Sequence, residues 1–311
     1  MPYWEDLGLA IHRIDFEVFL PILARLPLPL GEGVSRLRGM VSAAVDYEWR
    51  SMALGQRFVR QRTYAAMDQI LAGSKKSRKI RATIQRFVHN SREEWQACLY
   101  DKPVMKRINE KSRVEGLDPL LECRDRKKGM VLVSFHFDSF FMAMALFGMN
   151  GLKANAVGSD AFDRDPRVYP WVKRFLDQKY RGLECNMGGR IVYHEQDMDY
   201  AYGALDRGEA VILAVDVPGS RSSVFLPIFG KRLRMPLGAW LLAKKTNSAL
   251  AGFVCLHEGP GRYRLVCQEP RDVDPEDPLR TMEPVYRFLE QWVRKYPSRW
   301  VTSDLLFSYN G

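Results

Sequence analysis

The stretch GMVLVSFHFDS, residues 129–139, decides the fold of this chain. Its first seven residues form a nearly unbroken apolar run, which is typical of a strand buried inside a sheet. An apolar helix is predicted directly after it, over residues 139–148. His136 lies in the turn between the two elements. We therefore expect His136 at the carboxyl end of a strand, where open α/β folds bind their ligands.

Short apolar runs alternate with amphipathic segments through the rest of the chain from residue 113. Further strands are predicted over 152–157, 210–215, 249–256 and 262–268, and further helices over 165–180, 195–207, 236–246 and 278–296. Residues 1–112 have mainly helical periodicity instead. The sequence thus predicts one α/β globule, with a mixed central β-sheet flanked by helices over 113–311 and a basic helical N-terminal layer over 1–112.

The positive charge is concentrated in the first part of the chain. Lysine and arginine number 47 against 37 aspartate and glutamate residues, which gives a formal charge of +10. Residues 1–128 hold 24 basic and 16 acidic side chains, so most of the excess lies there. We expect this region to meet an anionic partner, such as an anionic membrane surface or an acidic protein. No nucleic-acid partner is expected, because no recognised binding motif accompanies the charge.

The sequence predicts a cytoplasmic protein on the inner face of the cell membrane, without a membrane span. The longest run free of charged side chains has 14 residues, 139–152, against the roughly 18–20 needed to cross a bilayer. The N-terminus lacks the basic flank and apolar core of a signal peptide. Five scattered cysteines without a C-x-x-C pair suit a reducing cytosol and predict no metal site. The apolar segment 16–30 either lies in the membrane interface or covers the core.

Polar residues also follow a second predicted strand. Asp216 ends the run 210–216, and Arg221 and Ser222 come shortly after it. Asp216 and Arg221 either form the polar wall of a site or make a buried ion pair that holds the loop. For His136 the alternatives are a general base and an ordinary hydrogen-bonded histidine beside a core.

Three blocks near these residues resemble one known family. They are RSSVFLPIF at 221–229, GAWLLA at 238–243 and VEGL at 114–117. In their order they are similar to the bacterial lipid A lauroyl/myristoyl acyltransferase family, over about residues 105–305. The resemblance implies a lysophospholipid-acyltransferase-like fold and no separate cofactor. It also implies acyl transfer from an acyl carrier protein or CoA thioester to a hydroxyl or amine of a lipid-type acceptor.

The resemblance further implies that His136 is the general base of the family motif H-x-x-x-x-[DE]. The carboxylate position of that motif is Phe141 in this chain. Asp138 is then the candidate that orients the histidine ring, provided that the turn is not yet helical. Alternatively Asp138 caps the following helix, and a carbonyl group or another acid steers His136. Because Phe141 replaces the carboxylate of the motif, two further hypotheses stay open. The protein is either an acyltransferase-like protein that only binds lipid or carrier, or a thioesterase.

The remaining candidates would contact the substrates. The apolar side chains near the histidine would form an acyl-chain trough: Phe137, Phe140, Phe141 and Met144. The polar candidates would contact the head group or the thioester: Asp216, Arg221 and Ser222. Arg190 and Arg164 are either phosphate contacts or solvated arginines.

Overall fold

A seven-stranded mixed sheet lies at the centre of the computed structural model. The structure describes residues 2–48, 58–160, 165, 168–217 and 222–309. The strands are β1 (Arg113–Glu115), β2 (Met130–Ser134), β3 (Ala154–Gly158), β4 (Gly188–Tyr193), β5 (Ala210–Ala214), β6 (Ser223–Ile228), β7 (Lys231–Pro236), β8 (Ala249–Gly259) and β9 (Arg262–Cys267). The α-helices are α1 (Pro2–Ile14), α2 (Leu20–Leu23), α3 (Leu28–Val45), α4 (Val59–Ile70), α5 (Lys76–Ala97), α6 (Val104–Lys111), α7 (Asp118–Asp125), α8 (Phe140–Met149), α9 (Pro170–Met187), α10 (Met198–Asp206), α11 (Gly238–Lys245) and α12 (Pro278–Lys295).

The order of the sheet brings the ends of β2 and β5 together. The strands lie in the order β1-β9-β8-β2-β5-β3-β4, and all neighbours are parallel except β8 and β9. The register of β2 and β5 runs from Met130 beside Ala210 to Ser134 beside Ala214. Residues that follow these two strands therefore meet at one edge of the sheet. The strands β6 and β7 form a separate antiparallel hairpin.

Strand β2 is buried at every position because the sheet carries an apolar core on each face. Met130 and Leu132 point into a core shared with α8 and α9. Val131 and Val133 point into the opposite core, shared with α10, α11 and α12. An apolar residue at each position is what two covered faces require of a central parallel strand.

The N-terminal helices form a layer against the first of these cores. In the π-helical segment Asp15–Phe19, which joins α1 to α2, Phe16 is buried, and its ring centroid lies 4.8 Å from that of Phe175 on α9. The apolar stretch 16–30 nevertheless does not only cover the core, because Ile22 and Leu30 are exposed. Among the described residues, no helix combines the length and apolar character that a membrane crossing needs.

Helix α5 ties this N-terminal layer to the end of the chain through a fully buried arginine. Arg86 forms ion pairs with Glu48, which lies after α3, and with Asp304, which lies after α12. Its Nε also donates a hydrogen bond of 2.7 Å to the carbonyl oxygen of Val301. The guanidinium therefore has partners in two distant parts of the chain.

The predicted architecture is confirmed: a mixed α/β sheet flanked by helices, with helices at the N-terminus. The helix predicted over 165–180 instead spans Pro170–Met187. Strand β4 and the hairpin β6–β7 were not predicted as strands.

Candidate active site

His136 and Asp216 meet at the carboxyl edge of the sheet, two residues beyond the last paired residues of β2 and β5. The ring Nδ1 of His136 lies 2.8 Å from Oδ1 of Asp216. The main-chain N–H of His136 donates a hydrogen bond of 2.7 Å to Oδ2 of the same carboxylate. The parallel register of the two strands thus places a histidine and an acid 80 residues apart in the chain within direct contact.

The carboxylate of Asp216 is completely buried and receives four hydrogen bonds. Two come from His136, and the others from Trp300 Nε1 at 2.7 Å and Thr302 Oγ1 at 2.5 Å. Burial by itself raises the pKa of Asp216, but His136 and the hydrogen bonds outweigh it and hold that pKa below its usual value. Asp216 is therefore an ionised and immobile partner for the imidazole.

The imidazole of His136 is held in one orientation with its other nitrogen open. The ionised Asp216 carboxylate accepts a hydrogen bond from the Nδ1–H group, which leaves the lone pair of neutral His136 on Nε2. No described residue makes a hydrogen bond to Nε2, and 21% of the side chain is exposed. Burial lowers the pKa of His136, but the adjacent Asp216 carboxylate outweighs burial and raises that pKa above its ordinary value. This is the arrangement of a general base held by an acid.

Asp138 does not make the contact with His136 expected of it. Its buried carboxylate lies between Arg92 on α5 and Arg299, and it accepts a hydrogen bond of 2.9 Å from the main-chain N–H of His257. Burial raises the pKa of Asp138, but the two arginines dominate and lower it to about 2. Asp138 also has a left-handed backbone, with φ of 52°, and it turns the chain after His136. The orienting contact comes instead from another acid, Asp216.

The aromatic residues after His136 divide between the two faces of the sheet. The ring of Phe140 lies 5.2 Å from that of His136, and the ring of Phe141 lies 6.2 Å from it. Met144 belongs to the same core as Phe140. Phe137 instead lies in the core of the opposite face, so the structure does not group it with the other members of the expected trough.

A buried lysine beside Phe141 was missed in the sequence. Lys179 on α9 places its ammonium 3.2 Å from the centroid of the Phe141 ring and 3.1 Å from Oε1 of Glu93 on α5. Burial lowers the pKa of Lys179, and Glu93 opposes that change. A sequence signal was present, because Lys179 continues the buried stripe of Val172 and Leu176 on α9.

The other predicted polar residues are not grouped around His136. Arg190 on β4 is exposed, and its guanidinium lies over the ring of Tyr200 at 5.0 Å. Ser222 is exposed, and its carbonyl oxygen accepts a hydrogen bond from Leu237. Arg164 and Arg221 lie outside the described residues. Within the described residues, no group of three or more His, Cys, Asp or Glu side chains is arranged to hold a metal ion.

Comparison with known proteins assigns the chain to one family. Residues 75–303 match the family described as "Bacterial lipid A biosynthesis acyltransferase", and the chain belongs to that family. The matched region includes both His136 and Asp216. The chain is also similar to "Lipid A biosynthesis lauroyltransferase" of Escherichia coli (strain K12), with 27% identity over 179 residues. That alignment covers 57% of this chain and 55% of the relative's length.

Proposed function

We propose that this protein transfers an acyl chain from a thioester, carried by an acyl carrier protein or CoA, to a hydroxyl or amine of a lipid-type acceptor. The observation that supports this most strongly is the His136–Asp216 pair, with Nε2 open at the edge of a sheet in a chain of an acyltransferase family. The rings of Phe140 and Phe141 beside the imidazole offer apolar contacts for the acyl chain.

In the proposed reaction His136 is the base and then the acid. Its Nε2 takes the proton of the acceptor hydroxyl or amine while the acceptor oxygen or nitrogen attacks the thioester carbonyl carbon. The carbon–sulfur bond then breaks, and the thiolate leaves with the proton returned by the imidazolium. Asp216 stabilises the imidazolium between these two steps, because its buried carboxylate faces Nδ1. The reaction needs no covalent acyl-enzyme and no cofactor.

We propose that the reaction takes place at the cytoplasmic face of a membrane, and that the N-terminal helices contact this membrane. Helices α1 and α3 and the π-helical segment between α1 and α2 line a cleft of about 370 Å³, which we name the apolar cleft. Its exposed apolar members are Ile11, Phe19, Leu37, Val41 and Val45. Arg25 and Arg36 are exposed close by in the sequence, but residues 1–48 hold 4 basic and 7 acidic side chains. The cleft would therefore act through its apolar side chains, and the positive charge would come from the later helices.

The direct test is acyl transfer by the purified protein. We would incubate it with dodecanoyl-acyl carrier protein and a bacterial lipid extract, and follow new acyl lipid and free fatty acid by mass spectrometry. His136→Ala should lower the transfer rate by about 10²- to 10⁴-fold, the usual contribution of a general base. His194→Ala is the matched control, because His194 is an exposed histidine, and it should leave the rate unchanged.

Other outcomes would contradict the proposal. Release of free acid without new acyl lipid would indicate a thioesterase. No turnover by the wild-type protein would indicate a protein that only binds lipid or carrier. Transfer that survives His136→Ala would remove the proposed role of the histidine.

A further inference from the structure

Lys179 lies in the wall of the His136 site, and the proposed proton transfer does not use it. Phe141 connects Lys179 to His136. Its ring lies beside the imidazole, and the Lys179 ammonium packs against the face of the same ring. Both members of the Lys179–Glu93 ion pair act on His136: Glu93 raises the pKa of the imidazole and Lys179 lowers it, and each has a smaller effect than Asp216. Through Phe141, the Lys179 ammonium and its partner Glu93 are therefore neighbours of the His136 site.

The ammonium of Lys179 has more donors than it has partners. An ammonium has three N–H groups. One lies toward Glu93 and one toward the face of Phe141, and no third partner occurs in the described part of the chain. The side chain is 8% exposed, so bulk water does not readily satisfy the remaining donor. A buried donor without a partner is costly, and a substrate oxygen would satisfy it.

We propose that Lys179 binds a negatively charged oxygen of the substrates, next to His136, and that Glu93 and Phe141 hold the ammonium in place for this. The inference rests on the proposed function. Two substrate oxygens have the required charge: the thioester carbonyl oxygen, which becomes negative when the acceptor attacks, and a phosphate oxygen of the acceptor. A preorganised donor in a site with little water stabilises either one.

The competing explanation is that Lys179 and Glu93 form a structural ion pair only. A single Lys179→Met change does not separate the two explanations, because it leaves Glu93 as an unpaired and largely buried carboxylate. The double variant Glu93→Gln/Lys179→Met removes both charges and keeps similar side-chain volumes. Glu93→Gln alone keeps the ammonium and is the matched control.

The experiment compares steady-state kinetics and thermal unfolding of the wild type and these variants. We expect the double variant to lose about 10²-fold in kcat/KM, and Glu93→Gln to lose less than the double variant because it keeps the ammonium, although it holds that ammonium less firmly. The two variants should unfold at similar temperatures. Lys179→Arg, which keeps the charge and the ion pair, should retain more activity than the double variant. A folded double variant as active as Glu93→Gln would overturn the inference, and so would Lys179→Arg no better than the double variant.

Thioester hydrolysis measured without acceptor lipid distinguishes the carbonyl oxygen from the phosphate oxygen as the group that Lys179 binds. If Lys179 binds the carbonyl oxygen, the double variant should lose kcat equally in transfer and in slow hydrolysis of dodecanoyl-acyl carrier protein. If it binds acceptor phosphate, hydrolysis should stay unchanged while the KM for acceptor lipid rises about tenfold. A wild-type protein without any thioester turnover would refute the proposed function and this inference together. An active wild type with an equally active double variant would refute the inference alone.

Discussion

The carboxylate that holds His136 comes from the neighbouring strand in this chain. Asp216 binds both the ring and the main chain of His136, so it fixes the position of the backbone as well as the orientation of the imidazole. The residue five positions after the histidine is the half-buried Phe141, which contacts an ammonium instead of the imidazole nitrogen. The carboxylate contact to His136 and the aromatic contact beside it therefore come from different side chains, Asp216 and Phe141.

Asp216→Asn should change the pH dependence of the reaction. In the wild type, kcat/KM should fall toward acid pH through a pKa above 6.5, because His136 must be neutral to act as a base and Asp216 raises its pKa. Without the carboxylate, the strongest effect that raises the pKa of His136 is lost and burial becomes dominant, so the acid limb should move to lower pH. The variant should also lose about 10²- to 10⁴-fold in kcat, because the imidazolium loses its partner. An acid limb that stays in place would contradict the assignment.

Asp138→Asn should affect stability and leave the pH profile in place. The change leaves Arg92 and Arg299 without their buried carboxylate. Breaking a buried pair in this way typically costs about 3–5 kcal/mol of unfolding free energy. Urea unfolding would measure the loss, and the acid limb of kcat/KM should match that of the wild type. A shifted acid limb with unchanged stability would return Asp138 to the role of orienting His136.

At the scale of elements, helices α3 and α5 of the N-terminal layer pack with their backbones very close together. A Cβ atom at Gly39 on α3 would lie 2.5 Å from Cα of Val88 on α5. Gly39→Ala should therefore separate the two helices and lower the unfolding free energy by about 1–3 kcal/mol. Gly33 is the matched control on the same helix, because it is exposed and a Cβ there meets no atom within 4 Å.

Gly33→Ala should raise the unfolding free energy by about 0.5–1 kcal/mol, since alanine favours the helix over glycine. Chemical unfolding of both variants measures the two effects on one helix. Effects of the same sign would show that helix propensity, and not the contact with Val88, decides the outcome at Gly39.

The sequence predicts those elements whose apolar pattern is complete. Strands β2 and β5 are continuous apolar runs, and both were found in the sequence within a residue or two. Strand β4 has no complete apolar pattern, because it begins with two glycines and has an exposed arginine before Ile191 and Val192. The hairpin β6–β7 has one solvated face with Arg232 and Arg234, and each strand contains a proline. These features are typical of loops and edges as well as of strands.

The two central residues of the candidate site were predictable from the sequence, but their contacts were not. His136 and Asp216 each stand at the end of an apolar run, which the sequence shows. That β2 and β5 are neighbours, in register at Ser134 and Ala214, depends on the order of the whole sheet. The partners of Asp138 come from α5 and from the segment after α12, and a local pattern contains no information on such distant pairs.

At the scale of the whole molecule, the proposed membrane location would account for the exposed apolar side chains of the N-terminal helices. Leu37, Val41 and Val45 on α3 are exposed by 61, 55 and 63%, and they border one cleft with α1. Large contiguous apolar surfaces on a protein usually mark an interaction site. The basic excess of residues 1–128 lies in residues 49–128, with 20 basic and 9 acidic side chains, whereas residues 1–48 hold 4 basic and 7 acidic ones. The later helices would therefore meet a partner with negative charge. An anionic bilayer has both an apolar interior and a negative surface.

Leu37→Glu/Val41→Glu should therefore weaken binding to vesicles that contain anionic phospholipid by at least about tenfold. Each side chain that enters the bilayer contributes about 1.5–3 kcal/mol when it is fully buried, and a glutamate adds repulsion from the anionic lipid. Vesicle sedimentation would measure the partition coefficient. Leu279→Glu on α12 is the matched control, because that side chain is exposed by 42% outside the cleft. Binding of wild type should also weaken with added salt, since the basic surface acts through screened charges. Equal binding by the double variant and the control would show that the apolar cleft does not face the membrane.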